Sequence, residues 1–122
     1  MKTTITTGTE EGFFKRGKEI ARLADAGKPI PALRIISIED PEDIARLITP
    51  AKIAVFHAVK EHADSITGIA LRLHRDRSAV KRDVDELEKF GLVTVKTKVL
   101  PGHGQMKEVS ATARQVKLEA YL

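Results

Sequence analysis

The residues of this chain that could do chemistry are cations, gathered in one short stretch. Arg72 to Arg82, read RLHRDRSAVKR, holds five Lys/Arg against one Asp, a balance of +4 that equals the formal net charge of the whole 122-residue chain. Residues 1–71 contain ten bases and ten acids, and residues 83–122 contain six of each, so every other charge cancels. A positive excess confined to one segment marks where an anionic partner binds; a uniformly basic surface would attract polyanions without a preferred site. A solvated loop between helices is the plainer alternative, and the pattern flanking the segment argues against it.

Other chemistries lack their residues. His57 and His62 are five apart, which is not the i, i+4 spacing of a helical metal pair, and no second cluster supplies the missing ligands. Pro101-Gly102-His103-Gly104 lacks the glycine spacing that cradles phosphates and reads as a turn. No nucleophile stands beside a base in the sequence, and Asp83, Asp85 and Glu86 fit a solvated helix face better than a carboxylate site. The expectation is a protein that is not an enzyme and that uses no cofactor and no metal.

Composition narrows the class further. The length suits one core, with charged residues at 31% and hydrophobic ones at 42%. No apolar run approaches the roughly eighteen residues of a membrane span. There is no Cys for a disulfide framework, and Met1 to Glu10 lacks the apolar core of a signal peptide, so a cytoplasmic location is expected. Aromatic content of 4%, with no Trp and one Tyr, leaves few platforms for stacking single-stranded bases. Duplex DNA is the better-matched polyanion.

The elements that must position the basic stretch can be read in order. Met1 to Gly8 has no period and reads as a frayed leader. Thr9 caps an amphipathic helix carrying Phe13, Phe14, Ile20, Leu23 and Ala24, which ends at Gly27, Lys28 and Pro29. Gly12 and Gly17 weaken it, so it needs a surface to pack on: the core, or a second copy, which the adjacent phenylalanines favour. Residues 1–31 are thus taken as a leader and dimerisation helix, and residues 32–122 as the remaining domain.

In that domain, Ala32 to Ile38 is rich in β-branched residues and predicts a strand. Asp40 and Pro41 then open a helix with Ile44, Leu47 and Ile48 as its buried stripe. Thr49 and Pro50 open another, running to about His62, with Ile53, Phe56 and Val59 facing inward beside Ala54 and Ala63. Ser65 caps a two-turn helix with Ile66, Ile69, Ala70 and Leu73, and Gly68 on its surface side. Asp76 caps a longer helix whose Val80, Val84 and Leu87 form one stripe, with Phe90 near its end and Gly91 closing it. Leu92 to Leu100 and Val116 to Leu122 both alternate as strands and are expected to pair antiparallel, with the register of residues 99–115 left open.

A short helix, a turn at His74 and Arg75, a longer helix and a strand pair is the order of a winged helix-turn-helix, in which the second helix enters the major groove. The fold class expected is mainly α with a small antiparallel β wing (α+β), extended at its N-terminus by a helix and a strand. Off the Val80/Val84/Leu87 stripe, the first two turns of the second helix present Arg77, Ser78, Lys81 and Arg82. Its C-terminal half is acidic, with Asp83, Asp85, Glu86 and Glu88, so phosphate repulsion leaves only the N-terminal half as a reading head.

The stretch SITGIALRLHRDRSAVKRDVDELEKFGLV resembles the MarR-type winged-helix regulators, most of all in DVDELEKFGLV, over about a quarter of the chain. The preceding ISIEDPEDIARLITPAKIAVFHAV is similar to small prokaryotic winged-helix proteins, some of which are antitoxin-type partners. The resemblance implies a sequence-specific double-stranded DNA-binding transcriptional regulator, a repressor and homodimer. The alternative it implies is an antitoxin-type subunit that neutralises a toxin protein. It assigns recognition-helix positions to Ser78, Lys81 and Arg82 and wing positions to Lys96, Lys98 and His103; Arg75, Arg77 and Lys107 complete the expected DNA-binding set. His74 departs from the family in standing where the turn usually has Gly, a position expected to need φ > 0. The long C-terminal dimer helix of larger MarR-type members is also absent from the pattern.

Overall fold

The computed structural model describes residues 30–102 and 104–122, so the Thr9 to Ala26 helix and His103 lie outside the described residues. In chain order the elements are β1 (Leu33–Ser37), α1 (Pro41–Leu47), α2 (Pro50–Glu61), α3 (Ile66–Leu73), α4 (Arg77–Lys89), β2 (Val93–Leu100), β3 (Gly104–Ala111) and β4 (Gln115–Glu119). They divide into two compact units, one made of residues up to Arg46 with Thr112–Leu122, the other of Leu47–Ala111.

In the first unit β1 and β4 pair in parallel, with Leu33 opposite Gln115 and Ser37 opposite Glu119. Main-chain bonds extend the ribbon at both ends. The Arg114 and Gln115 N–H groups donate to the Pro31 and Ala32 carbonyls at 2.9 and 3.0 Å, and Ile38 N–H donates to Glu119 at 2.8 Å. Ile36 and Ile38 are buried. α1 begins as its sequence requires, with Pro41 at the first position and Asp40 Oδ1 accepting from Glu42 N–H at 3.0 Å.

The second unit is a winged helix-turn-helix. α2, α3 and α4 pack on one another, and β2 and β3 form an antiparallel hairpin running from Val93 opposite Ala111 to Leu100 opposite Gly104. Asp64, just before α3, adds a third edge: its N–H donates to Val109 O at 3.2 Å and its carbonyl accepts from Val109 N–H at 2.8 Å. Val80, Val84 and Leu87 are buried along one face of α4, as their spacing predicts, and Ile66, Ile69 and Ala70 along one face of α3. Phe90, Val93 and Val109 complete this core.

Three expectations need correction. The strand after α4 pairs with residues 104–111 and not with the C-terminal strand, which instead joins β1 in parallel. A tight turn at Pro101 and Gly102 closes the hairpin locally, at far less loop entropy than a pairing that skips a dozen residues. The inward face of α2 is Val55, Ala58 and Val59, while Ile53 is 39% exposed and Phe56 half-buried. That helix is apolar on several sides, so a 3.6 period fits two phases equally well. Ile48 is 54% exposed because α1 ends at Leu47, which leaves Ile44 half-buried and Leu47 alone fully buried in that helix.

Both helices of the motif stop in the same way. At the end of α4, Gly91 has φ 86, its N–H donates to Glu88 O at 3.0 Å, and Leu92 N–H donates to Leu87 O at 2.9 Å, the paired bonds of a Schellman cap. At the end of α3 the same pair recurs, His74 N–H to Leu71 O at 3.3 Å and Arg75 N–H to Ala70 O at 3.0 Å, but the left-handed residue is His74, φ 53 and ψ 44. A residue with a Cβ is strained there by about 1 to 2 kcal/mol. His74→Gly should therefore raise stability by about 0.5 to 1 kcal/mol once the greater freedom of glycine in the unfolded chain is deducted. Urea unfolding checks this; a lowered midpoint would mean that the imidazole makes an interaction outweighing the strain.

Candidate nucleic-acid interface

Folding divides the five bases of the Arg72–Arg82 stretch between internal and outward tasks. Arg72 is internal. Its Nη2 donates to Ala58 O at 2.5 Å and its Nη1 to His62 O at 3.0 Å, with Asp64 Oδ2 at 3.6 Å, so one guanidinium ties down the end of α2, adding a second donor to the Ala58 carbonyl that already accepts from His62 N–H. Asp64 is held by this ion pair and by accepting from Ser65 N–H at 2.7 Å. Its carboxylate lies where a side chain at Gly68 would begin, so a Cβ there would displace Asp64 from Arg72 and Ser65, and the position is not a free surface.

Arg75 is internal as well. Its main chain closes the α3 cap, and its Nη1 lies 2.9 Å from Asp83 Oδ2, with the two side chains only 26% and 15% exposed. This pair joins the turn to the second turn of α4. It also removes Asp83 from the acids that would repel phosphates.

The remaining three bases stand on the exposed side of α4, together with Ser78. Arg77 Nε donates to Thr67 Oγ1 at 3.1 Å, linking the start of α4 to the first turn of α3. Lys81 Nζ lies 2.9 Å from Asp85 Oδ2, a solvent-exposed i, i+4 pair of the kind worth a few tenths of a kcal/mol. Arg82 has no ion-pair or hydrogen-bond partner among the described residues. The outward side of the first two turns thus carries three cations and one hydroxyl, and acids on that side begin at Asp85.

Asp76 sets the start of this surface. Its carboxylate accepts from Ser78 N–H at 3.2 Å and from the Ser78 hydroxyl. Ser78 is therefore a capping partner in the unbound protein, and its hydroxyl must exchange partners to meet a base.

The wing lysines lie on both faces of the hairpin. Alternation places Lys96 and Lys98 on one face with Glu108, and Lys107 on the other beside Thr97. Lys98 Nζ is 3.4 Å from Glu108 Oε2, whereas Lys96 and Lys107 are exposed and without an ion-pair partner among the described residues. His103, at the turn, lies outside those residues. Such an arrangement offers cations to two lines of phosphates, one on each side of the ribbon. Thr67 and Asp64 carry no signal in the sequence, since an isolated Thr and Asp near a cap residue have no period, and only the fold brings them to Arg77 and Arg72. Among the described residues there is no group of three His, Cys, Asp or Glu able to hold a metal ion, and no helix long and apolar enough to cross a membrane.

The Asp76 carboxyl is held below the usual carboxylate range, first by the Ser78 hydroxyl and then by main-chain N–H groups and the charge of Arg82, with partial desolvation opposing them. Because the folded value is lowered, its contribution is complete above the unfolded value, about 4. It is lost as pH falls through the folded value. Asp76→Asn should keep an acceptor for the cap while removing this acid-dependent part. Stability measured against pH should then fall less steeply below about pH 4 in the variant than in the parent. Parallel acid limbs would exclude the carboxylate as a contributor.

No curated protein matches the sequence. Among solved structures, a possible transcriptional regulator from Methanosarcina mazei Go1 is similar at 19% identity and a TM-score of 0.48, over 57% of this chain and 60% of its own. YusO from Bacillus subtilis is similar at 20% identity and a TM-score of 0.49, over 87% of this chain and 69% of its own. This chain thus spans three fifths of the length of the Methanosarcina protein. The family match covers residues 47–118, from the last residue of α1 through the winged helix-turn-helix and into β4, more than half of the sequence; the chain belongs to the HVO_A0114 family.

Proposed function

We propose that this protein is a sequence-specific double-stranded DNA-binding transcriptional regulator that acts by occupancy, as a repressor in the manner of MarR-type proteins, and not by catalysis. The observation that carries the reading is the outward side of α4's first two turns: Arg77, Ser78, Lys81 and Arg82 are exposed together on the second helix of a winged helix-turn-helix. A helix of this kind fits the major groove, and its cations suit guanine edges and phosphates. Arg82, which makes no hydrogen bond or ion pair among the described residues, and Lys81, in a weak surface pair, are the side chains best able to turn to bases. Arg77, leaning on Thr67, suits a phosphate. Lys96 and Lys107 supply sequence-independent affinity from the wing.

The reading face and the folding face of α4 should fail differently. Lys81→Ala with Arg82→Ala should leave stability within about 0.5 kcal/mol of the parent, since both side chains are exposed. Preference for the operator over random duplex should fall by about 1 to 3 kcal/mol for each side chain that no longer bonds a base edge. Leu87→Ala, at a buried position, should instead cost about 2 to 5 kcal/mol of stability and weaken binding only through unfolding. Melting curves and operator affinity at fixed salt separate the two. A double variant that binds its operator like the parent would remove α4 from the reading role.

The wing has its own signature. Lys96→Ala or Lys107→Ala should weaken all duplex sequences alike and lower the slope of log affinity against log salt by about 1. Lys98→Ala should do less, because Glu108 already neutralises it. A wing variant that changes base preference at an unchanged slope would contradict the assignment.

A further inference from the structure

The ribbon of the first unit has an open edge with a pattern that completes itself. Gln115 N–H donates toward β1 and the Glu119 carbonyl accepts from it, so residues 115, 117 and 119 turn their main-chain groups to β1. By alternation, Val116 and Leu118 turn theirs away. Among the described residues no strand lies along that side of β4, and the sheet is two-stranded. Two strands are marginal by themselves, and an edge with free N–H and C=O groups is a template for another strand.

The side chains select which strand. Consider a second β4 laid antiparallel about a two-fold axis at Leu118. Lys117 then stands opposite Glu119 of the second copy, and Glu119 opposite Lys117 of the second copy, on the same face of the sheet. Val116 meets Ala120 and Gln115 meets Tyr121, which in the single chain is 97% exposed. The outward groups at Leu118 are those that this register needs for a hydrogen-bonded pair at the axis. Shifting the axis by one residue, to Lys117, sets lysine against lysine. Like charges directly opposite destabilise a strand pair and opposite charges stabilise it, so the sequence favours one register over its neighbour.

We infer that β4 is a homodimer interface, in which two copies of this chain join β4 edges antiparallel about Leu118 to form a four-stranded sheet ordered β1-β4-β4-β1. Such an interface is isologous, so each variant acts on both halves at once. The inference is independent of DNA and is tested without it.

The test is the oligomeric state of the full chain by light scattering and native mass spectrometry. Lys117→Glu opposes two glutamates twice per dimer, and Glu119→Lys opposes two lysines twice; each should weaken dimerisation by about tenfold or more. An equimolar mixture of the two variants restores both opposite-charge pairs, so a heterodimer should form from two chains that dimerise poorly alone. The doubly swapped chain should dimerise like the parent. Should Glu119→Lys unfold through loss of the 3.0 Å Ser37 bond, Lys117→Glu decides by itself. Its dimer should strengthen with added salt while the parent's weakens, because salt screens repulsion in one and attraction in the other. A monomeric parent, a Lys117→Glu chain that dimerises undiminished, or a mixture no more dimeric than its components would each overturn the interface. Undiminished dimers would point to residues 9–26 in its place.

Discussion

Everything that α4 presents outward depends on the three-residue turn that precedes it, because that turn fixes where the helix begins. His74 in the left-handed region reverses the chain, Arg75 closes the α3 cap with its main chain and reaches Asp83 with its side chain, and Asp76 caps α4. Each residue does a separate task, and none can be delegated to a neighbour. A start displaced by one residue would rotate α4 by about 100°, taking Val80, Val84 and Leu87 out of the core and Lys81 and Arg82 off the outward side. Strain at His74 is tolerated because the cap, the ion pair and the buried stripe together determine the turn more strongly than one dihedral angle opposes it.

The same geometry explains why a basic segment is not uniformly a binding segment. Arg72 and Arg75 lie on the sides of the motif that meet α2 and α4, and each finds oxygen there: main-chain carbonyls for Arg72, a carboxylate for Arg75. A guanidinium suits these tasks because it forks to two acceptors and stays charged when half-buried. The cations left over are those on the solvent side of α4, where the nearest acids are Asp76, in the cap, and Asp85, one turn beyond Lys81. Net charge therefore marks a segment whose cations folding divides, with Arg72 and Arg75 engaged within the unit and Arg77, Lys81 and Arg82 left on the outward side.

Legibility in the sequence followed the range of the interaction. The Val80/Val84/Leu87 period, the Ser65 and Asp76 caps and the Gly91 stop are local, and each is readable because the residues that decide it lie within about one turn of one another, whereas the positive φ at His74 is expected only from the family resemblance. The interactions that organise the unit across longer separations were not: Arg72 with Ala58 and His62, Arg77 with Thr67, and Asp64 with Val109 have no marker in composition or spacing. The phase of α2 failed for a different reason. With Ile53, Ala54, Val55, Phe56, Ala58 and Val59 in one helix, hydrophobicity does not choose a face; Ala58 turns inward where Arg72 closes on its carbonyl, a requirement set by another helix.

The pairing of β1 with β4 is the longest-range feature and the one that sequence periodicity handled worst. Parallel strands cannot be joined by a tight turn and need a crossover of about a dozen residues or more. Here the crossover is the entire winged helix-turn-helix, since the chain leaves β1 at Ser37 and returns at Gln115. Closing a loop of that length costs about 4 kcal/mol of chain entropy by the logarithmic rule. The antiparallel alternative, β4 on β2, avoids much of that cost, yet β3 already occupies the open side of β2 through eight paired residues. The C-terminal strand, short and alternating with three half-buried and two exposed residues, pairs instead with β1. Among the described residues β4 so paired has no strand on its second side, and the order Lys117, Leu118, Glu119 places opposite charges two residues apart along it, on one face of the strand.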